Sequence, residues 1–133
     1  MSQVNEQVVA RAFEHFRATG DFLADVTSPD FVWDMSKFGG WPEQQAYPGI
    51  EGARRFMSDW IDAWDDWEWE LESIDAAADK VVCVLRQSGR SKTTGVRVDM
   101  RFAQVFTVRH GLLVRMEMYA DPAEALEAAG LPA

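Results

Sequence analysis

Asp34 stands near the end of Phe31-Val32-Trp33-Asp34-Met35, a carboxylate among aromatic and aliphatic side chains. Burial among such neighbours disfavours the charged form and raises a carboxyl pKa, which suits a general base working near neutral pH. The other use of an Asp at a strand end is to accept backbone hydrogen bonds from the loop that follows. Gln104 is the one polar residue at the even positions of residues 96–108, which are otherwise Val96, Val98, Met100, Phe102, Phe106 and Val108. A buried amide must find partners. Gln104 can donate to a ligand carbonyl, which is oxyanion-hole work, or it can bond a buried side chain or a water. Pairing across a turn at Arg109-His110-Gly111 places it near Met116. His15, beside Phe16, can act as a pocket acid or base or sit on a helix rim. Asp121 precedes Pro122 and a short helical stretch, so helix capping is its default role. Its place at a strand end also makes it a candidate for a pocket rim.

Neither His15 nor His110 has a second His or a thiolate at ligand spacing, so no metal centre is expected. Cys83 is the sole cysteine, which excludes a disulfide within the chain. No nucleophile motif, phosphate loop or dinucleotide fingerprint appears, and Gly39-Gly40 lacks the spacing such loops need. Any chemistry here is expected to run without a cofactor.

The elements that must position these residues follow from hydrophobic period. Val8, Val9, Ala12, Phe13 and Phe16 recur at three- and four-residue spacing, which predicts a helix over 4–18. Gly20 ends it, and Asp21 caps a short helix over 22–26. A strand over 31–35 is followed by a loop over 36–49 that holds three Gly and two Pro. Trp41 and Tyr47 lie in that loop and are lid candidates. A helix over 50–64 carries Phe56, Met57, Trp60, Ile61 and Trp64 as its stripe, with Phe56 and Trp60 as core and pocket wall. From Trp67 the period becomes two: Trp67, Trp69 and Leu71 alternate with Glu68, Glu70 and Glu72. Strands are predicted over 81–88, 96–108 and 112–120, the last apolar at Leu112, Val114, Met116 and Met118. A short helix over 123–129 closes the chain. Helices first and long antiparallel strands after them make the class α+β, with a curved sheet wrapped around two or three helices.

The 133 residues suit one domain, residues 1–133. Hydrophobic residues at 47% and charged residues at 26% are the balance of a globular chain. A net charge of −9 without a basic cluster argues against nucleic acid and anionic membrane as partners. Glu6 and Arg11 interrupt the apolar stretch a signal peptide needs, and no run spans a bilayer, so a cytoplasmic protein is expected. Six Trp and eight Phe are the unusual feature, and they serve cores and apolar pockets alike.

The element order, the stretch Phe102-Ala103-Gln104-Val105-Phe106-Thr107-Val108-Arg109-His110-Gly111 and the ending Tyr119-Ala120-Asp121 with Ala125-Leu126-Glu127-Ala128-Ala129-Gly130-Leu131 carry a resemblance. Together they resemble the SnoaL-like proteins, a branch of the NTF2-like superfamily that also holds ketosteroid isomerases, polyketide cyclases and limonene epoxide hydrolases. The resemblance spans nearly the whole chain. It implies an NTF2-like (cystatin-like) cone with a pocket between the concave sheet and the helices, in a homodimer.

Position by position, Val32-Trp33-Asp34 matches the Val-x-Asp of the ketosteroid isomerase base. That family's two oxyanion donors fall on Phe13 and Gln104. Of the epoxide hydrolases' Asp-Arg-Asp set, Asp121 matches the last Asp, while the other two fall near Leu85 and Gln87, so that mechanism is not transferred. The resulting expectation is a pocket for a small apolar molecule, aromatic or polyketide-like, lined by Phe13, Phe16, Trp33, Trp41, Tyr47 and Phe56. Trp60, Phe102, Met116, Met118 and Asp121 complete its wall. Asp34, Gln104 and His15 would carry isomerase, cyclase or hydratase chemistry there. The competing expectation is a non-catalytic binding or interaction module.

Overall fold

A computed structural model describes residues 2–39 and 45–132. The chain runs α1 (Ser2–Thr19), a 3-10 turn (Ala24–Val26), β1 (Thr27–Asp34), β2 (Ala46–Pro48), α2 (Gly49–Asp62), β3 (Trp64–Ala77), β4 (Lys80–Ser91), β5 (Arg97–Arg109), β6 (Leu112–Tyr119) and α3 (Pro122–Ala128). Among the described residues the strands form one curved, open sheet in the order β2-β1-β6-β5-β4-β3. β1 joins β6 in parallel and the other neighbours are antiparallel.

One face of the sheet packs on α1 and α2 through Val8, Val9, Ala53, Phe56 and Trp60. The other carries α3, whose Ala125 and Leu126 cover Val82, Ala103 and Val105. The alternation predicted for β5 places Phe102, Gln104, Phe106 and Val108 on the first of these faces. Val96, read as part of that strand, lies just before it and is exposed. Arg86–Asp99 and Arg101–Glu72 pairs lie on the outer side, each at 2.8 Å. No helix among the described residues is long and apolar enough to cross a membrane.

Bulges decide which side chains face inward. β3 shifts register between Asp65 and Glu68 and again between Leu71 and Ser73. Each extra residue reverses the strand's parity. Trp64 therefore packs inward before the first shift, Trp67, Trp69 and Leu71 after it, and Ile74 and Ala76 after the second. Asp66, at φ 53°, takes up the first bend. β6 shifts too, so Leu113 is the buried residue at its start rather than the expected Leu112. Gln104 pairs with Met118 and not with Met116: one residue of the difference comes from this shift and one from the turn, which is shorter than expected because Arg109 pairs with Leu112.

The predicted loop over 36–49 contains β2, whose Tyr47 pairs with Trp33 and is wholly buried. Tyr47 is thus a core residue: its ring lies 5.5 Å from that of Phe56, and its hydroxyl lies 3.4 Å from Asp59 Oδ2. The expected lid role is corrected, because pairing in the sheet holds the residue under α2. Trp41 lies outside the described residues.

Candidate functional site

Between the inner sheet face and the two long helices lies a cavity of about 80 Å³. That is room for about five waters at roughly 15 Å³ each. α1 contributes Ala12, Phe13 and Phe16, and α2 contributes Ala53, Phe56, Met57 and Trp60. Phe31 and Trp33 of β1 and Phe102, Gln104 and Phe106 of β5 form the sheet side with Met118, Leu113, Leu85 and Gln87. Trp67 and Trp69 of β3 close the end.

The rings brace one another. Trp33 stacks on Phe56 at 4.6 Å, Phe56 on Trp60 at 5.6 Å, and Phe13 meets Phe106 edge-on at 6.0 Å. Beside the cavity an open groove lined by Arg17, Gly20, Ile61 and Glu68 shares Phe16, Trp67 and Trp69 with it. There the Arg17 guanidinium lies 4.2 Å from the centre of the Trp69 ring.

Of the residues expected at the pocket, Phe13, Phe16, Trp33, Phe56, Trp60, Phe102, Gln104 and Met118 border the cavity. Met116 is fully buried in the core behind it. Asp121 caps α3, accepting the Ala123 N–H at 3.0 Å, and is exposed. His15 does not border the cavity. It lies roughly 100° around α1 from Phe16, near enough to Asp21 to act on that carboxylate.

Asp34 is the main correction. Phe31 and Trp33 face the cavity and Asp34, by the strand's two-residue period, faces away. Its Oδ1 accepts the Ser36 N–H at 2.8 Å, and its Oδ2 pairs with the Arg115 guanidinium across the β1–β6 junction. Burial pushes its carboxyl up, but the Ser36 hydroxyl and N–H and the Arg115 charge outweigh that and hold it below the ordinary 3.8. The raised pKa expected from its apolar neighbours is therefore reversed, and the strand-end role is the one observed.

Asp34→Asn is expected to lower the unfolding free energy by about 1–2 kcal/mol at pH 7, because Arg115 is half-exposed and solvent screens the pair. The folded carboxyl titrates below the unfolded one, so this contribution is full above about pH 4 and is lost as pH falls through the folded value. Urea unfolding at pH 7 and at pH 3 checks it. A variant as stable as wild type at pH 7 would refute the role.

Gln87 was not singled out in the sequence, yet it borders the cavity and is only 2% exposed. Its Oε1 accepts the indole N–H groups of Trp60 at 2.8 Å and Trp67 at 3.0 Å. The signal was present: Val81, Cys83, Leu85 and Gln87 alternate as Phe102, Gln104 and Phe106 do. Gln104 itself, opposite Cys83 and Met118, has no side-chain hydrogen bond to another described residue.

Among the described residues bordering the cavity, none has an ionisable side chain. No group of described His, Cys, Asp or Glu residues could hold a metal ion. Burial raises the Cys83 thiol well above its usual range, which keeps it protonated and unreactive. The wall can exclude water, stack on a flat molecule and donate hydrogen bonds.

Comparison with known proteins agrees with this architecture. The model of the SnoaL-like domain family matches residues 6–116. An NTF2-like protein from Burkholderia thailandensis E264 superposes with a TM-score of 0.75 at 24% identity, over 99% of both chains. A protein described as a SnoaL-like polyketide cyclase, from Jannaschia sp. CCS1, gives 0.70 at 21% identity, over 100% of this chain and 96% of its own. TerC, co-crystallised with polyporic acid, gives 0.71 at 18% identity, over 95% of this chain and 97% of its own. These likenesses establish the NTF2-like, cystatin-like fold. No curated protein matches the chain in sequence. With the family model spanning most of its length, the chain belongs to the SnoaL-like domain family.

Proposed function

We propose that this protein binds a small, neutral, largely apolar molecule of one aromatic ring in its internal cavity. The observation that carries the reading is the cavity wall itself. It combines stacked Trp and Phe rings with two Gln amides, and no described residue on it is ionisable. Dispersion and burial supply affinity at such a wall, and the few polar groups set orientation. A charged ligand would lose its hydration there and find no counter-charge. Proton-transfer catalysis needs an ionisable group at the reacting atoms. Binding is therefore the function this geometry supports best. The structural neighbour crystallised with polyporic acid supports the same use of the fold.

Titration with ethylbenzene, acetophenone and phenylacetate tests the reading, because the wall tryptophans report occupancy by their fluorescence. The two neutral compounds are expected to bind with Kd of about 0.1–1 mM. At ten times Kd each should raise the melting temperature by about 5 °C. Phenylacetate should leave both signals unchanged. The reading is wrong if neither neutral compound binds, or if phenylacetate binds as well as they do.

A further inference from the structure

The fully buried side-chain polar atoms that the fold leaves unpaired around the cavity are of one kind. Gln87 Nε2 and Trp33 Nε1 are buried, belong to cavity-lining residues and have no hydrogen-bond partner. Both are N–H donors. Buried donors without acceptors are rare in native structures, because each gives up its bonds to water for nothing.

The direction of the Gln87 amide is set by its neighbours. Two indole N–H groups, from Trp60 and Trp67, converge on one end of it. Only the oxygen can face two donors. Turned over, the amide would oppose its own NH₂ to both indoles. The oxygen is thereby committed to the protein and the NH₂ is left for something else. Two donors on the oxygen also polarise the amide and strengthen its N–H as a donor. Three side chains from α2, β3 and β4 are needed to hold this arrangement, and the β3 bulge is what turns Trp67 to its place.

From this we propose that the cavity is specific for ligands bearing a hydrogen-bond acceptor, a carbonyl oxygen on the ring's substituent, and that Gln87 Nε2 is the group that recognises it. The proposal rests on the binding function argued above and names the ligand class within it. A hydrocarbon of the same shape fills the space but leaves the Gln87 donor unpaired. An aryl ketone fills the space and accepts from it. Asp34 and His15 have no part in this recognition, since neither borders the cavity.

The test uses acetophenone and ethylbenzene, matched in size and shape. In wild-type protein the Gln87 side-chain amide protons are identified by NMR through their proximity to the Trp60 and Trp67 indole protons. Acetophenone should move one of them downfield, and ethylbenzene should not. In Gln87→Met, which keeps the volume, the ratio of acetophenone to ethylbenzene affinity should fall about tenfold relative to wild type, the discrimination expected of one buried hydrogen bond. Gln104→Met should leave more of that ratio intact. Equal amide shifts with both ligands, or an unchanged ratio in Gln87→Met, would overturn the specificity while leaving the cavity's binding function standing. Absence of binding by both ligands would overturn the two together. The wild-type NMR result decides the matter even where the variant folds poorly.

Discussion

Phe56→Ala is expected to lower the unfolding free energy by about 3–5 kcal/mol, a large share of the 5–15 kcal/mol typical of a domain. Phe56 is 1% exposed, and its ring stacks on those of Trp33 and Trp60 and meets that of Tyr47 edge-on. Truncation removes its contacts with all three rings and leaves a void that the sheet cannot close, because Trp33 and Tyr47 are fixed in register. The void opens into the existing cavity. A folded Phe56→Ala protein should therefore accept a two-ring ketone such as 2-acetonaphthone, which wild type should exclude. Urea unfolding measures the first effect and fluorescence titration the second. A loss below about 1 kcal/mol would show that the ring is not packed as described.

Gly52→Ala is the second large effect, and its sign runs against propensity. In a helix interior, Gly to Ala ordinarily stabilises by about 0.5–1 kcal/mol. At Gly52 an added Cβ would lie 2.6 Å from the carbonyl carbon of Tyr47 and 2.9 Å from its oxygen. Both are backbone atoms of β2, so no side chain can swing away. The start of α2 must move from the strand it covers, at a net cost of about 2–3 kcal/mol. That shift also displaces Tyr47 under Phe56. Chemical denaturation of the variant checks the sign, and equal or greater stability would refute the close approach.

These two positions show how unevenly the chain could be read. The stripe of α2 was legible because Phe56 and Trp60 recur at four-residue spacing, and burial of one helix face follows from that period alone. Gly52 lies on the same helix and carried no signal, since its constraint comes from a strand pressed against it. Eight of the expected pocket residues border the cavity for the same reason as Phe56: period assigns them to an inward face. The bulges in β3 and β6 were not legible. One inserted residue costs little locally yet reverses the inward positions on one side of it, so Leu113 replaced Leu112.

Asp34 and Gln87 mark the limit for the site. Apolar neighbours in sequence suggested a desolvated Asp34, but the cation that stabilises its charge, Arg115, is 81 residues away. Gln87 had the same alternating pattern as Gln104. Its distinction is that two indoles, 27 and 20 residues distant, meet at its oxygen.

The sequence by itself determined the elements other than β2, their order, an α+β class and an inward face rich in aromatic rings, because all of these follow from local period and composition. Tertiary structure alone decided which polar groups face the cavity, which find partners and which are left to bind something else. Those outcomes depend on sheet register and on contacts between distant segments, and no local pattern encodes either.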